Sequence, residues 1–209
     1  MKQEARIMLE RMYDILNEKF ENPVKSWDSL VEFIAVDHRA DLLYQLEHKF
    51  EWLHEDRNLT EKLSRIYDAE LLRTEYHDCL GDLYRSKLAS EAVEQDEGQL
   101  ELALQRWTQP SQEGKRIAVL DPEAGTGRLL MTVHKKLPEA VLFGIDYNLR
   151  ALRVAMTNFA IHNIQGFLLH ADKTKHDMSL DTPEGQYNWK YANKWYSRMD
   201  KLKPAPKPH

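Results

Sequence analysis

Three short stretches carry residue types suited to holding a nucleoside. The first is Val119-Leu120-Asp121-Pro122-Glu123-Ala124-Gly125-Thr126-Gly127-Arg128-Leu129-Leu130. Gly125 and Gly127 let a backbone turn tightly and approach a ligand with no Cβ in the way. Asp121 stands just before them, where it can accept a hydrogen bond from a ligand amine. The second stretch is Gly144-Ile145-Asp146, whose carboxylate lies 19 residues past Gly127. An acidic residue at that distance suits the two hydroxyls of an adenosine ribose. The third is His170-Ala171-Asp172, where Asp172 can accept a hydrogen bond from an adenine exocyclic amine. A lone glycine pair after a strand is most simply a strand-to-helix turn. The three stations together point to a nucleoside cofactor. A dinucleotide site prefers G-x-G-x-x-G, and here the third glycine position is Leu130.

Each station needs a strand to carry it. Ile117 to Leu120 is a short apolar run that reads as a buried strand. A helix is predicted from about Arg128 to Leu137, closed by Pro138. Val141 to Ile145 reads as a second strand, Leu149 to His162 as a second helix, and Phe167 to Leu169 as a third strand. This β-α-β-α-β order predicts parallel strands with right-handed crossovers. All three stations then fall at carboxyl ends of strands, where open α/β sheets bind ligands.

The residues before this unit read as helix after helix. Ile7, Met8, Met12, Ile15, Leu16 and Phe20 recur at helical spacing within 2–21. Asn22-Pro23 ends that segment. Ser26 is the expected N-cap of a helix carrying Trp27, Leu30, Val31 and Ile34. Another stripe covers 39–55, Asn58 or Thr60 caps the next helix, and a further helix covers Tyr76 to Ala89. Gln109 to Gly114 is a turn-rich linker. The division expected is a helical region over 1–110, an α/β region over 111–200 and an extended, Pro-rich tail over 201–209.

Composition narrows the class. The chain has 209 residues, 42% hydrophobic and 30% charged, so it can bury a core. Its mean hydropathy is -0.65, and its N-terminus carries charges where a secretory signal needs an apolar run. The single cysteine, Cys79, excludes an internal disulfide and an all-thiolate metal site, and points to the cytosol. Residues 1–113 hold 14 Lys+Arg against 25 Asp+Glu, a net of -11; residues 114–209 hold 15 against 9, a net of +6. The basic part is the one suited to a polyanion.

The pattern D-P-x-x-G-T-G-x-L, then G-I-D, then A-D, resembles the cofactor half of amino-methylating DNA methyltransferases. The closest resemblance is to the modification subunits of type I restriction systems. His77 to Tyr84 also resembles the helix those subunits carry just before this half. The resemblance implies a partial Rossmann-like class I methyltransferase sheet of about three parallel strands, preceded by an all-helical region. It implies S-adenosylmethionine as cofactor. Asp121, Pro122, Gly125, Thr126 and Gly127 would form the loop at its methionine end. Asp146 would take the ribose, Tyr147 would pack on the adenine, and Asp172 would take the adenine amine.

The family's reaction also needs an Asn or Asp followed by two prolines and an aromatic, which grips a base flipped out of the duplex. No two consecutive prolines occur in the chain, so no catalytic residue is assigned. The 96 residues after Glu113 suffice for the cofactor half only. The expected partners are DNA and either a polypeptide bringing the catalytic half or a second copy of the chain. The alternative is a methyltransferase-like regulatory or scaffold protein without catalysis. Tyr187, Tyr191 and Trp195 share one helical face with Lys190 and Lys194 beside them. That face reads as a cover for the sheet before it reads as a nucleic-acid surface. His162, His170, His176, Asp172 and Asp177 match no metal-ligand spacing.

Overall fold

The computed structural model describes residues 3–38, 52–74, 76–88 and 118–170. The linker, the aromatic stripe at 187–195, Asp172 and the tail lie outside these residues.

Helix α1 (Gln3–Phe20) buries Met8, Met12 and Leu16, as its periodicity predicts, with Leu9 beside them, whereas Ile7 of the predicted stripe is exposed. Helix α2 (Pro23–Asp37) begins earlier than expected. Its cap is Asn22, whose side chain accepts the Lys25 N–H at 3.0 Å, and Pro23 sits in the first turn. Proline suits that turn because its missing N–H would be unpaired there. Ser26 is therefore inside the helix, and its hydroxyl donates back to the Asn22 carbonyl at 2.7 Å. A short helix α3 (Trp52–Glu55) leads into α4 (Arg57–Ser64). Asp56 caps α4 by accepting the Leu59 N–H at 3.0 Å, in place of Asn58 or Thr60. Helix α5 (Ala69–Thr74) follows, then α6 (Cys79–Lys87), capped by Asp78.

The α/β part matches its predicted order closely. Strand β1 (Ala118–Asp121) leads to α7 (Arg128–Lys136), β2 (Val141–Asp146), α8 (Leu149–Ile161) and β3 (Gly166–His170). The strands are parallel in the order β1-β2-β3. Asp121 lies opposite Gly144, and Asp146 opposite His170, so the first two stations and the start of the third gather at one end of the sheet, with Asp172 itself outside the described residues.

Val119, Leu142, Gly144 and Leu168 lie on the face that α7 and α8 cover. A Cβ at Gly144 would come within 2.6 Å of Leu168, 2.8 Å of Ala124 and 2.9 Å of Leu130. That position must stay glycine for α7 to approach. Leu120, Phe143 and Phe167 lie on the other face, where the two phenylalanine rings stack at 4.9 Å. Helices α2 and α6 pack on the outer side of α8. A single buried apolar cluster runs from Ala5 through Trp27 and Leu80 to Leu168. No helix among the described residues is long and apolar enough to cross a membrane.

Candidate cofactor-binding site

The loop after β1 is shaped by two glycines and tied to the end of β2. Gly125 (φ +52°) and Gly127 (φ +82°) both take left-handed backbone, which other residues adopt at a cost. At Gly127 a Cβ would also press on Ala155 at 3.1 Å and Phe159 at 3.2 Å, so the loop sits close on α8. At Gly125 the space is open: the nearest contact of an added Cβ is 4.0 Å. The Ala124 N–H donates to the Ile145 carbonyl at 2.9 Å. Next to it, the Gly125 N–H donates to Asp146 Oδ2 at 2.7 Å. Helix α7 then starts after Gly127, which offers no side-chain cap, so its first N–H groups and positive dipole end lie at the loop.

Asp121 ends β1 beneath this loop. Its Oδ1 accepts the Glu123 N–H at 3.1 Å. Its Oδ2 is buried and meets no hydrogen-bond partner among the described residues. Burial pushes its carboxyl up from the ordinary value; the Glu123 N–H opposes this, while the charges of Asp146 and Glu123 add to it. A buried acceptor without a donor is costly, and a cationic ligand amine would satisfy it.

Asp146 is only 7% exposed, and it does local structural work as well. Its Oδ1 accepts the Asn148 N–H at 2.7 Å while its Oδ2 holds Gly125. Each carboxylate oxygen has a further acceptor position, which leaves capacity for hydroxyl donors. Tyr147, the next residue, is 73% exposed, unusual for a large ring and compatible with stacking on a base. Pro122 is exposed at the turn. Thr126 is buried, and its hydroxyl donates to Asp78 Oδ2, away from the open side of Gly125.

The structure thus brings together Asp121, Pro122, Gly125, Thr126, Gly127, Asp146 and Tyr147. Residues 77–203 match the N-6 DNA methylase family, 127 of the 209 positions. The chain belongs to that family. No curated protein sequence matches it. A solved structure of similar fold is a Listeria monocytogenes protein described as a class I S-adenosylmethionine-dependent methyltransferase. The two share 18% identity with a TM-score of 0.56, over 82% of this chain and 53% of that one. The chain spans about half the length of that protein, and the likeness concerns the fold.

The methylase match begins at His77, so α6 falls inside it although the linker separates α6 from β1 in sequence. The structure explains why. Asp78 is 2% exposed and caps α6 through the Gly81 N–H at 2.7 Å. It also accepts from Thr126 in the glycine loop and from Asn158 Nδ2 in α8 at 2.7 Å. Asn158 in turn donates to the Thr126 carbonyl at 3.0 Å. One turn on, Asp82 receives Arg85 at 2.6 Å, His77 at 2.6 Å and Arg128. Burial alone would raise Asp82, but those hydrogen bonds and the charge of Arg128 overcome it and hold its carboxyl well below the usual range.

Sequence reasoning assigned neither Asp78 nor Asn158 to the candidate site. The local signals at Asp78 were the resemblance of His77 to Tyr84 to a family helix and its place three residues before an amide it can cap. Nothing local marks Asn158.

Proposed function

We propose that the chain binds S-adenosylmethionine and serves as the cofactor-holding part of a DNA adenine-N6 methyltransferase. The observation that carries this reading is the buried, partnerless oxygen of Asp121 beneath the open glycine loop. In this reading Asp121 Oδ2 accepts from the amino group of the methionine end. The uncapped start of α7 faces that end's carboxylate, where a helix N-terminus stabilises an anion. Asp146 keeps the loop closed and accepts from the ribose hydroxyls. Tyr147 covers one face of the adenine, and Asp172 accepts from its amine. When bound, the cofactor supplies an electrophilic methyl group for an adenine nitrogen. The chain's own contribution is to orient it and screen it from water.

No Asn-Pro-Pro-aromatic motif occurs in these 209 residues, so the base-handling half lies outside them. DNA meets the assembled enzyme, with the basic part of this chain as the facing surface.

Isothermal titration calorimetry with S-adenosylmethionine tests the reading directly. Saturable binding to the wild-type chain, weakened at least tenfold by Asp121→Asn, is expected. An absence of heat with both S-adenosylmethionine and S-adenosylhomocysteine would remove the proposal. For the partner, tritiated methyl transfer to DNA is expected only after a second polypeptide carrying that motif is added.

A further inference from the structure

We propose that Asp78 is a positioning residue. Through it, helix α6 sets the glycine loop in its cofactor-ready shape, so cofactor affinity is coupled to how α6 is seated. This rests on the cofactor reading above and concerns how that same site is controlled.

The argument starts from the cost of the arrangement. Asp78 is a carboxylate with a fully buried side chain. Buried charges are retained only where donors surround them. Here the donors come from three separate elements. The Gly81 N–H belongs to α6, the Thr126 hydroxyl to the loop and Asn158 Nδ2 to α8. Two guanidinium groups face the same carboxylate, Arg85 at 3.8 Å from α6 and Arg128 at 3.6 Å from the start of α7. An α6 cap needs only the first of these contacts. Thr126 and Asn158 add ties at the residue between Gly125 and Gly127, beyond those that Ala124 and Gly125 make to the end of β2.

The geometry also shows why α6 cannot slide without moving the loop. The Asp78 side chain folds back over Gly81 so closely that a Cβ there would fall 1.9 Å from its Oδ2. The carboxylate is therefore held against the first turn of α6, and Thr126 is held against the carboxylate. Asn158 closes the triangle by bonding both Asp78 and the Thr126 carbonyl. Among the residues assigned to the cofactor loop, Asp78 bonds Thr126, and it acts on the others through that residue.

Two readouts on the intact chain test this. Thr126→Val removes the hydroxyl and leaves the Asp78–Gly81 cap in place, while Thr126→Ser restores the hydroxyl. Hydrogen exchange needs no ligand. Thr126→Val is expected to exchange the amides of 124–127 at least tenfold faster, with 79–87 within twofold of wild type and Thr126→Ser near wild type throughout. Calorimetry with S-adenosylmethionine is expected to show Kd at least tenfold weaker for Thr126→Val and within threefold for Thr126→Ser. Asp78→Asn keeps the capping oxygen and is expected to weaken Kd by about fivefold or more. The double variant should then bind no worse than Thr126→Val alone, since both break one connection.

Unchanged loop exchange in Thr126→Val, or loss of protection spread equally over α6 and α8, would overturn the proposal. So would multiplicative losses of affinity in the double variant. If the wild-type chain binds no S-adenosylmethionine, the cofactor reading falls, and loop exchange alone decides the coupling.

Discussion

The helical part and the α/β part both bury polar groups but pair them differently. Helices α1 and α2 fully enclose Leu9, Met12, Leu16, Trp27, Leu30 and Ile34, and their buried Ser26 and Glu32 pair with Asn22 and Trp52 of the same helical part. Around the strand ends the buried set includes Thr126, Asp146, Thr157 and Asn158, with Asp78 at the seam. Apolar burial is the cheaper way to hold a fold, and buried polar groups are kept where specificity or ligand contact needs them. The helical core therefore rests on apolar enclosure with polar groups paired locally, and the loop region on buried polar groups such as Asp146 and Asn158 that pair across elements.

Breaking the stability side should give the largest effect. Trp27→Ala removes a fully buried ring and is expected to cost about 3–5 kcal/mol, read as a lower urea midpoint. Below its own transition, S-adenosylmethionine affinity should fall by less than about tenfold, since Trp27 packs on Tyr84 of α6 at 5.4 Å between ring centroids and acts on the loop only through that helix. A loss of affinity as large as the loss of stability would mean that the two regions do not divide the labour.

The converse variant sharpens the contrast. Asp121→Asn should leave the urea midpoint unchanged or raise it, because it removes a buried carboxylate that the nearby charge of Asp146 disfavours. It should also cost at least about 1.4 kcal/mol of cofactor affinity, a tenfold change in Kd. A variant that is both less stable and equally good at binding would contradict the role given to Asp121.

Acid should act on the seam first. Burial lowers the pKa of His162 from 6.5 to about 4; it packs on Tyr76 at 4.7 Å between ring centroids. The unfolded chain binds its proton more readily, so the stability due to neutral His162 is complete above about pH 6.5 and is lost as pH falls towards 4. Asp82, whose carboxyl is held low, contributes stability that is lost only at still lower pH. Urea midpoints at pH 7.5, 5.5 and 4.5 should therefore fall steadily, and His162→Phe should flatten the upper part of that decline.

The smallest effect is expected at the rim of the seam. Arg150 from α8 grips Asp28 of α2 with two contacts, at 2.7 and 3.1 Å. Both residues are partly exposed, so Arg150→Met should cost no more than about 1 kcal/mol by urea unfolding at 0.15 M salt.

The α/β part was readable because its signals are local. Apolar runs such as Val141-Leu142-Phe143 set the strands, and the glycine pair with Asp146 set the candidate site, to within a residue or two. Helix starts were harder. Ser26 and Thr60 have capping side chains, but Asn22 and Asp56 stand three residues before the amides they accept, and both win. The Asp78 bridge was hidden for another reason. Its partners Thr126 and Asn158 lie 48 and 80 positions away, and no periodicity links them. The dual role of Asp146 was likewise out of reach, since its bond to Gly125 exists only once β1 and β2 are paired.

Those long separations bear on the order in which the molecule is made. Helices close over neighbouring residues and form early, whereas contacts across tens of positions must first bring distant chain segments together. During synthesis α6 emerges before Thr126 and well before Asn158, so Asp78 waits with only its own helix for company. The glycine loop gains its full set of ties only when α8 has left the ribosome and docked. The loop's final shape thus waits on α8, and a stalled or clipped product ending before α8 would carry its helices without that shape.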